Sequence, residues 1–218
     1  MHYVTSDIHN DNQKLQELLK VLNLKDDDKL FLLGDLFDRS NHNPDPVGVY
    51  FAILALEDKC QVIRGNHEQE LAEYIASYYQ TPEKKRIKLE PYPYNTFELL
   101  KERLTPVDIQ KMAEWILRLP LQIETAVGDT KYLLAHAMTV KPGTDCVNNV
   151  YIRGTEKFQN FLINGVEGYI SICGHSNPEG SDIWRNSKKN VIICDSGCGF
   201  RSGRLGCLCL ETGEEIYV

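Results

Sequence analysis

A short apolar run, Leu30-Phe31-Leu32-Leu33, stops abruptly at Gly34, and Asp35, Asp38 and Arg39 follow at once. An apolar run this short, bounded by glycine, reads as a buried strand. In open α/β folds the working residues sit just past the carboxyl ends of such strands. Two carboxylates and a guanidinium at that depth are costly unless they pair, bind metal or bind a ligand. The same kind of edge recurs at Asp7 and His9, at Asn66 and His67, at His136 and at His175. The fold must therefore bring several strand ends into one cleft.

Read in order, the chain predicts a strand over 3–6 and a helix over 12–22, with Leu15, Leu18, Leu19 and Leu22 at helical spacing. A strand over 29–33, a helix over 46–56 with proline in its first turn, a strand over 61–63 and a helix over 68–79 follow. This βαβαβ alternation implies a largely parallel sheet covered by helices. Residues 80–95 are charged and then rich in proline and tyrosine, which suggests that 80–104 form a loop or small cap. Thr105 is placed to cap a helix with Pro106 at its first position. In the second half a hairpin turns at Gly128-Asp129, 156–163 has helical character, and strands are expected at 169–173, 190–194, 205–210 and 215–218. These later strands suggest a second sheet facing the first. The expected fold is one α/β domain over residues 1–218, a four-layer α/β/β/α sandwich of two facing mixed sheets flanked by helices.

The formal charge is −7, from 31 acidic and 24 basic residues, without a long basic block. That argues against a non-specific nucleic-acid binder, which needs a positive footprint. No basic leader or bilayer-length apolar stretch is present, so a cytoplasmic protein without a membrane partner is expected. Seven cysteines, an odd number, read as free thiols in a reducing compartment. Cys194, Cys198, Cys207 and Cys209 cluster near the end, but their spacing is not that of paired zinc knuckles, and buried thiols are the simpler reading.

Residues i and i+2 of a strand point the same way, so Asp7 and His9 can reach one ion. Asp35 has two oxygens with which to bridge two ions, and Asn66, His136 and His175 can serve the second. Mixed carboxylate and imidazole ligands suit manganese, iron or zinc better than magnesium.

The series DIH at 7–9, GDLFDRS at 34–40, RGNHE at 64–68, His136 in LLAHA and GHS at 174–176 resembles the calcineurin-like metallophosphoesterase superfamily. GDLFDR and RGNHE are more narrowly similar to its serine/threonine phosphoprotein phosphatase branch, whose bacterial and phage members are of about this size. The resemblance implies that Asp7, His9 and Asp35 hold one divalent ion and Asp35, Asn66, His136 and His175 a second, with manganese expected and iron or zinc as alternatives. It implies His67 as catalytic acid oriented by Asp38, and Arg39 and Arg64 as phosphate ligands. A further phosphate-binding arginine is expected between the last two histidines. Arg153 in VYIRG fits that interval, and Arg185 fits it poorly. Two residues depart from the pattern: Asn10 where a glycine is usual, and Ala137 after His136.

The implied reaction is in-line hydrolysis of a phosphomonoester by a water activated between the ions, with His67 protonating the leaving group. Phosphoserine or phosphothreonine in a protein is the expected substrate. Symmetrical dinucleoside polyphosphates or other small esters are the alternative, for which Tyr92, Tyr94 and Phe97 could stack a base. An inert interaction module is the remote alternative, and it would be expected to have lost a ligand or the acid. Oligomeric state is left open.

Overall fold

The computed structural model describes residues 1–39, 43–180 and 182–218; Ser40, the last residue of the GDLFDRS motif, lies outside them. The first sheet begins as the alternation requires: β1 (His2–Thr5), α1 (Asn12–Leu22), β2 (Lys29–Leu32), α2 (Pro46–Leu54), β3 (Cys60–Val62) and α3 (Asn66–Gln80). β1, β2 and β3 pair in parallel. Asp11 caps α1 by accepting the Lys14 N–H, and Asn23 ends it in a left-handed conformation. After α4 (Glu83–Arg86) and α5 (Thr96–Arg103), the Thr105 side chain caps α6 (Pro106–Arg118) by accepting the Asp108 N–H, with Pro106 in the first turn.

The second sheet contains the hairpin β4 (Gln122–Val127) and β5 (Thr130–Ala135). After α7 (Asn148–Arg153) and α8 (Phe158–Asn164) it is completed by β6 (Ile170–Cys173), β7 (Trp184–Arg185) and β8 (Val191–Ile193), in the order β4-β5-β6-β8-β7. β9 (Gly206–Cys209) and β10 (Glu215–Tyr217) then return to the first sheet, whose order is β10-β9-β1-β2-β3. This corrects the expectation that all the later strands belong to the second sheet. The edge of β1 away from β2 is paired by β9 with Val4 opposite Leu208, which places both side chains in the layer between the sheets.

Strand alternation builds the layers. Leu30 and Leu32 of β2 face α1, α2, α3, α5 and α6, while Phe31 and Leu33 face the second sheet. Ile172 and Ile192 meet them from the other side, and Cys173, Val191 and Ile193 turn outward onto Phe161 and Leu162 of α8. Two mixed sheets face each other with helices outside both. All seven cysteines are free thiols, five of them buried. No cysteine joins a group of metal-capable side chains among the described residues.

Candidate active site

Asp7 follows β1, Asp35 follows β2, Asn66 and His67 open α3 after β3, His136 follows β5 and His175 follows β6. β5 and β6 are parallel, so within each sheet these residues leave at the same end. Contacts that join the halves include His136 Nδ1, 2.7 Å from the Leu33 carbonyl, and the Asp7 carboxylate, which accepts the His175 N–H at 3.0 Å. The loops after β1 and β2 stay paired through Asp7 N to Gly34 O (3.0 Å) and His9 N to Asp35 O (2.9 Å). Close backbone approach explains two glycines here. A Cβ on Gly34, at φ +88°, would lie 2.5 Å from the Gly65 nitrogen, and one on Gly65 would lie 2.4 Å from Asp35 Oδ1.

The loops hold unusual backbone. Asp7 (57°), His9 (51°), Asn10 (62°), Asp35 (51°), Asp38 (69°), Arg39 (62°) and His175 (65°) all have positive φ. Each such residue costs about 1–2 kcal/mol relative to right-handed backbone, and such outliers cluster where surrounding structure imposes them for function.

Two groups of ligand atoms meet at Asp35. His9, Asp35 and His67 form one, and Asp35, His136 and His175 the other; within each, the atoms lie within 4.8 Å of one another. Asp7 Oδ1 lies 3.8 Å from His9 Nε2, and the Asn66 side-chain amide 3.2 Å from His136 Nε2. His9 Nδ1 rests on the Phe37 carbonyl at 3.1 Å, as His136 Nδ1 does on Leu33. A ring whose one nitrogen donates to a carbonyl presents the other as a metal ligand. Among the described residues Asp35 Oδ2 is buried without a hydrogen-bond partner, and His136 Nε2 and His175 Nδ1 face each other at 3.1 Å. A single proton can bridge those two nitrogens; a cation accepts both lone pairs and the carboxylate as well. The residues fit two divalent ions sharing Asp35.

Electrostatics agrees with that donor set. Burial pushes His9 down to about 4, and burial with the charge of His136 does the same to His175, so both present neutral imidazoles at neutral pH. Burial opposes charge on Asp35, but His136, His67 and His9 together hold its carboxyl well below the usual range. Burial would also lower His136; the charge and hydrogen bond of Asp35 outweigh it and push the ring up to about 10. Burial, with the charge of Asp195, raises Asp7.

His67 directs Nδ1 to Asp38 Oδ2 at 2.9 Å, while its buried Nε2 has no hydrogen-bond partner among the described residues. The arginines are dispersed. Arg39 is exposed, and both it and Arg153 act electrostatically on His175. Arg153 forms an ion pair with Glu70 of α3. Arg64 is buried, with Nη1 donating to the Leu117 carbonyl at 3.0 Å and Nε without a hydrogen-bond partner among the described residues. Asn10 adopts the left-handed backbone that a glycine supplies easily, and its side chain donates to Thr96 Oγ1 at 2.9 Å at the start of α5. Ala137 is fully buried, with its N–H on the Tyr151 carbonyl of α7.

The tyrosine-rich loop divides its labour. Phe97 is 1% exposed and packs against Tyr74, Tyr78 and Tyr79, so it is core and not a base platform. Burying such a ring returns about 2–3 kcal/mol, as much as a stacked base would. Tyr92 donates to Asp38 Oδ2 at 2.6 Å, and the Tyr94 ring lies 5.1 Å from the His67 ring. Sequence reasoning missed the part played by Glu68, fully buried and accepting four backbone N–H groups, although a glutamate three residues past Gly65 is the spacing of a capping box. It also passed over Asp195, whose carboxyl is raised by burial near Asp7.

A family model for calcineurin-like phosphoesterases matches residues 3–204. The chain is a calcineurin-like phosphoesterase. With its two ligand groups, this member of the family is a metal-dependent phosphoric ester hydrolase. Solved structures sharing the fold include a candidate diadenosine tetraphosphatase, 20% identical with a TM-score of 0.64 over 100% of this chain and 92% of that one. Another is a protein serine/threonine phosphatase from Saccharomyces cerevisiae, 13% identical, TM-score 0.62, over 100% and 78%. A hypothetical protein from Pyrococcus horikoshii OT3 is 18% identical, TM-score 0.61, over 100% and 87%. At these identities the likeness is one of fold. No curated protein matches the chain. No helix among the described residues is long and apolar enough to cross a membrane.

Proposed function

We propose that this phosphoesterase hydrolyses phosphoric anhydrides or esters of small molecules, with symmetrical dinucleoside polyphosphates as the leading class. The observation that carries hydrolysis is Asp35 shared between two ligand groups with His67 beside it. Asp7, His9 and Asp35 would hold one ion and Asp35, Asn66, His136 and His175 the other, with manganese the favoured metal and iron or zinc alternatives. When bound, such ions activate water for attack on phosphorus and offset charge on the phosphoryl oxygens.

The chain's own residues supply the rest. His67 gives the leaving oxygen a proton from Nε2, and Asp38 holds the opposite nitrogen in place. Arg39, Arg64 and Arg153 bind phosphoryl oxygens. Arg64 shares its guanidinium with the Leu117 carbonyl, and Arg153 shares its own with Glu70. Residues 80–104 act as a small cap on one domain spanning residues 1–218, a reading supported by the Tyr92–Asp38 and Asn10–Thr96 hydrogen bonds. The seven free thiols support a cytoplasmic setting.

For the substrate, the Tyr94 ring beside His67 supports a nucleobase seated next to the site, and the likeness to the fold neighbour described as a candidate diadenosine tetraphosphatase covers the whole of this chain. The second reading is dephosphorylation of phosphoserine or phosphothreonine in proteins, supported by the GDLFDR and RGNHE motifs and the yeast phosphatase neighbour. Parallel kcat/KM values on diadenosine tetraphosphate and on phosphoserine and phosphothreonine peptides, at matched manganese, decide between them. A preference for the dinucleotide of about a hundredfold, or 2.7 kcal/mol in transition-state binding, is expected; a preference of that size for the peptides would reverse the assignment.

A further inference from the structure

Asp38 is fully buried, and among the described residues its Oδ2 carries two hydrogen bonds: His67 Nδ1 at 2.9 Å and the Tyr92 hydroxyl at 2.6 Å. Oδ1 has no partner among them. A carboxylate only accepts, so both the imidazole N–H and the phenol O–H donate. Burial and the neighbouring Asp38 charge push the phenol well above its ordinary range, and it stays a donor. A carboxylate removed from water depends on its few donors for both energy and orientation. Tyr92 comes from the segment between α4 and α5, which a second buried hydrogen bond, Asn10 Nδ2 to Thr96 Oγ1, fastens to the loop after β1. Its ring lies 5.0 Å from Tyr74 and 5.8 Å from Tyr94, so the hydroxyl is directed at Asp38 by an aromatic cluster.

We propose that Tyr92 is a positioning residue for His67. Its hydroxyl fixes Asp38 Oδ2, and through it the orientation of the His67 ring, so the proton donor is in working geometry when the segment before α5 is docked. The inference rests on the reading of His67 as proton donor given above. The bland alternative is a packed tyrosine whose hydroxyl has merely found an acceptor. The two differ in what Tyr92→Phe does, since phenylalanine keeps the ring contacts and removes one of the two donors that Asp38 has among the described residues.

The test joins a spectroscopic and a kinetic measurement. In zinc-loaded, diamagnetic protein labelled with 15N-histidine, the Nδ1-bound proton of His67 is assigned by its loss in His67→Asn. Tyr92→Phe is expected to speed its exchange with solvent by about tenfold or more, and Tyr94→Phe, the control, to leave it unchanged. With manganese, Tyr92→Phe is expected to lower kcat on an alkyl phosphate about tenfold while changing kcat on 4-nitrophenyl phosphate less than about twofold, because an activated leaving group barely needs a proton. KM should hold for both. An unchanged exchange rate, or equal losses on the two esters, overturns the proposal. Faster exchange in Tyr92→Phe, together with a wild-type protein that turns over neither ester, nor diadenosine tetraphosphate, nor a phosphopeptide, would uphold the positioning and defeat the hydrolase reading.

Discussion

The Glu68 carboxylate accepts the backbone N–H of Asp35 at 2.7 Å. The same side chain takes the N–H groups of Leu36 (2.7 Å), Phe37 (3.3 Å) and Gly65 (2.8 Å). One buried acid thus ties the metal-bearing loop after β2 to the first turn of α3. Burial and the charge of Asp35 push its carboxyl up, and the amide donors pull against that shift.

Glu68→Ala should therefore leave four amides without their acceptor and lower stability by about 3–5 kcal/mol. Glu68→Gln, which retains one acceptor oxygen, should lose less. Chemical denaturation of the metal-free proteins measures both. An alanine variant within about 0.5 kcal/mol of wild type would show that the loop is held by other means.

Among the described residues Asp35 is the one carboxylate common to both ligand groups. Asp35→Asn should weaken both ions, giving well under two metals per chain after dialysis, whereas Asp7→Asn should spare the His136–His175 group. Elemental analysis at matched protein concentration reads the difference. Two tightly held ions in Asp35→Asn would remove the bridge from the assignment.

Metal uptake should release protons. Without metal, His136 is held protonated by Asp35, at about 10, and Asp7 is raised by burial. His136 must lose its proton to become a ligand, so affinity should rise with pH between about 6 and 9, by up to a decade in Kd per pH unit. Calorimetry in buffers of differing ionisation enthalpy counts those protons. A Kd flat over that range and a heat independent of buffer would contradict the assigned charge states.

His67→Asn should keep its metals and lose about a hundredfold in kcat on an alkyl phosphate, but less than about tenfold on 4-nitrophenyl phosphate. Equal losses would give His67 a role as ligand, which its distance of 3.8 Å from Asp35 Oδ2 also permits.

Periodicity and punctuation in the chain alone determined the parallel β1-β2-β3 core, the capped helices α1 and α6, and the hairpin turning at Gly128-Asp129, because each depends on neighbours within a few residues. Motif spacing likewise marked Asp7, His9, Asp35, Asn66, His67, His136 and His175, since chemistry-bearing residues at the ends of apolar runs are costly without a role. Only the tertiary structure decided that β9 and β10 close the first sheet, since the partner of the free β1 edge lies some two hundred residues away. It also decided the fates of residues that look alike in sequence. Phe97 is core, Tyr92 holds Asp38 and Tyr94 faces His67, although all three lie in one short aromatic stretch. The chain direction of α5 and the strained loops after β1 and β2 set those differences, and they arise from long-range packing that no local pattern encodes.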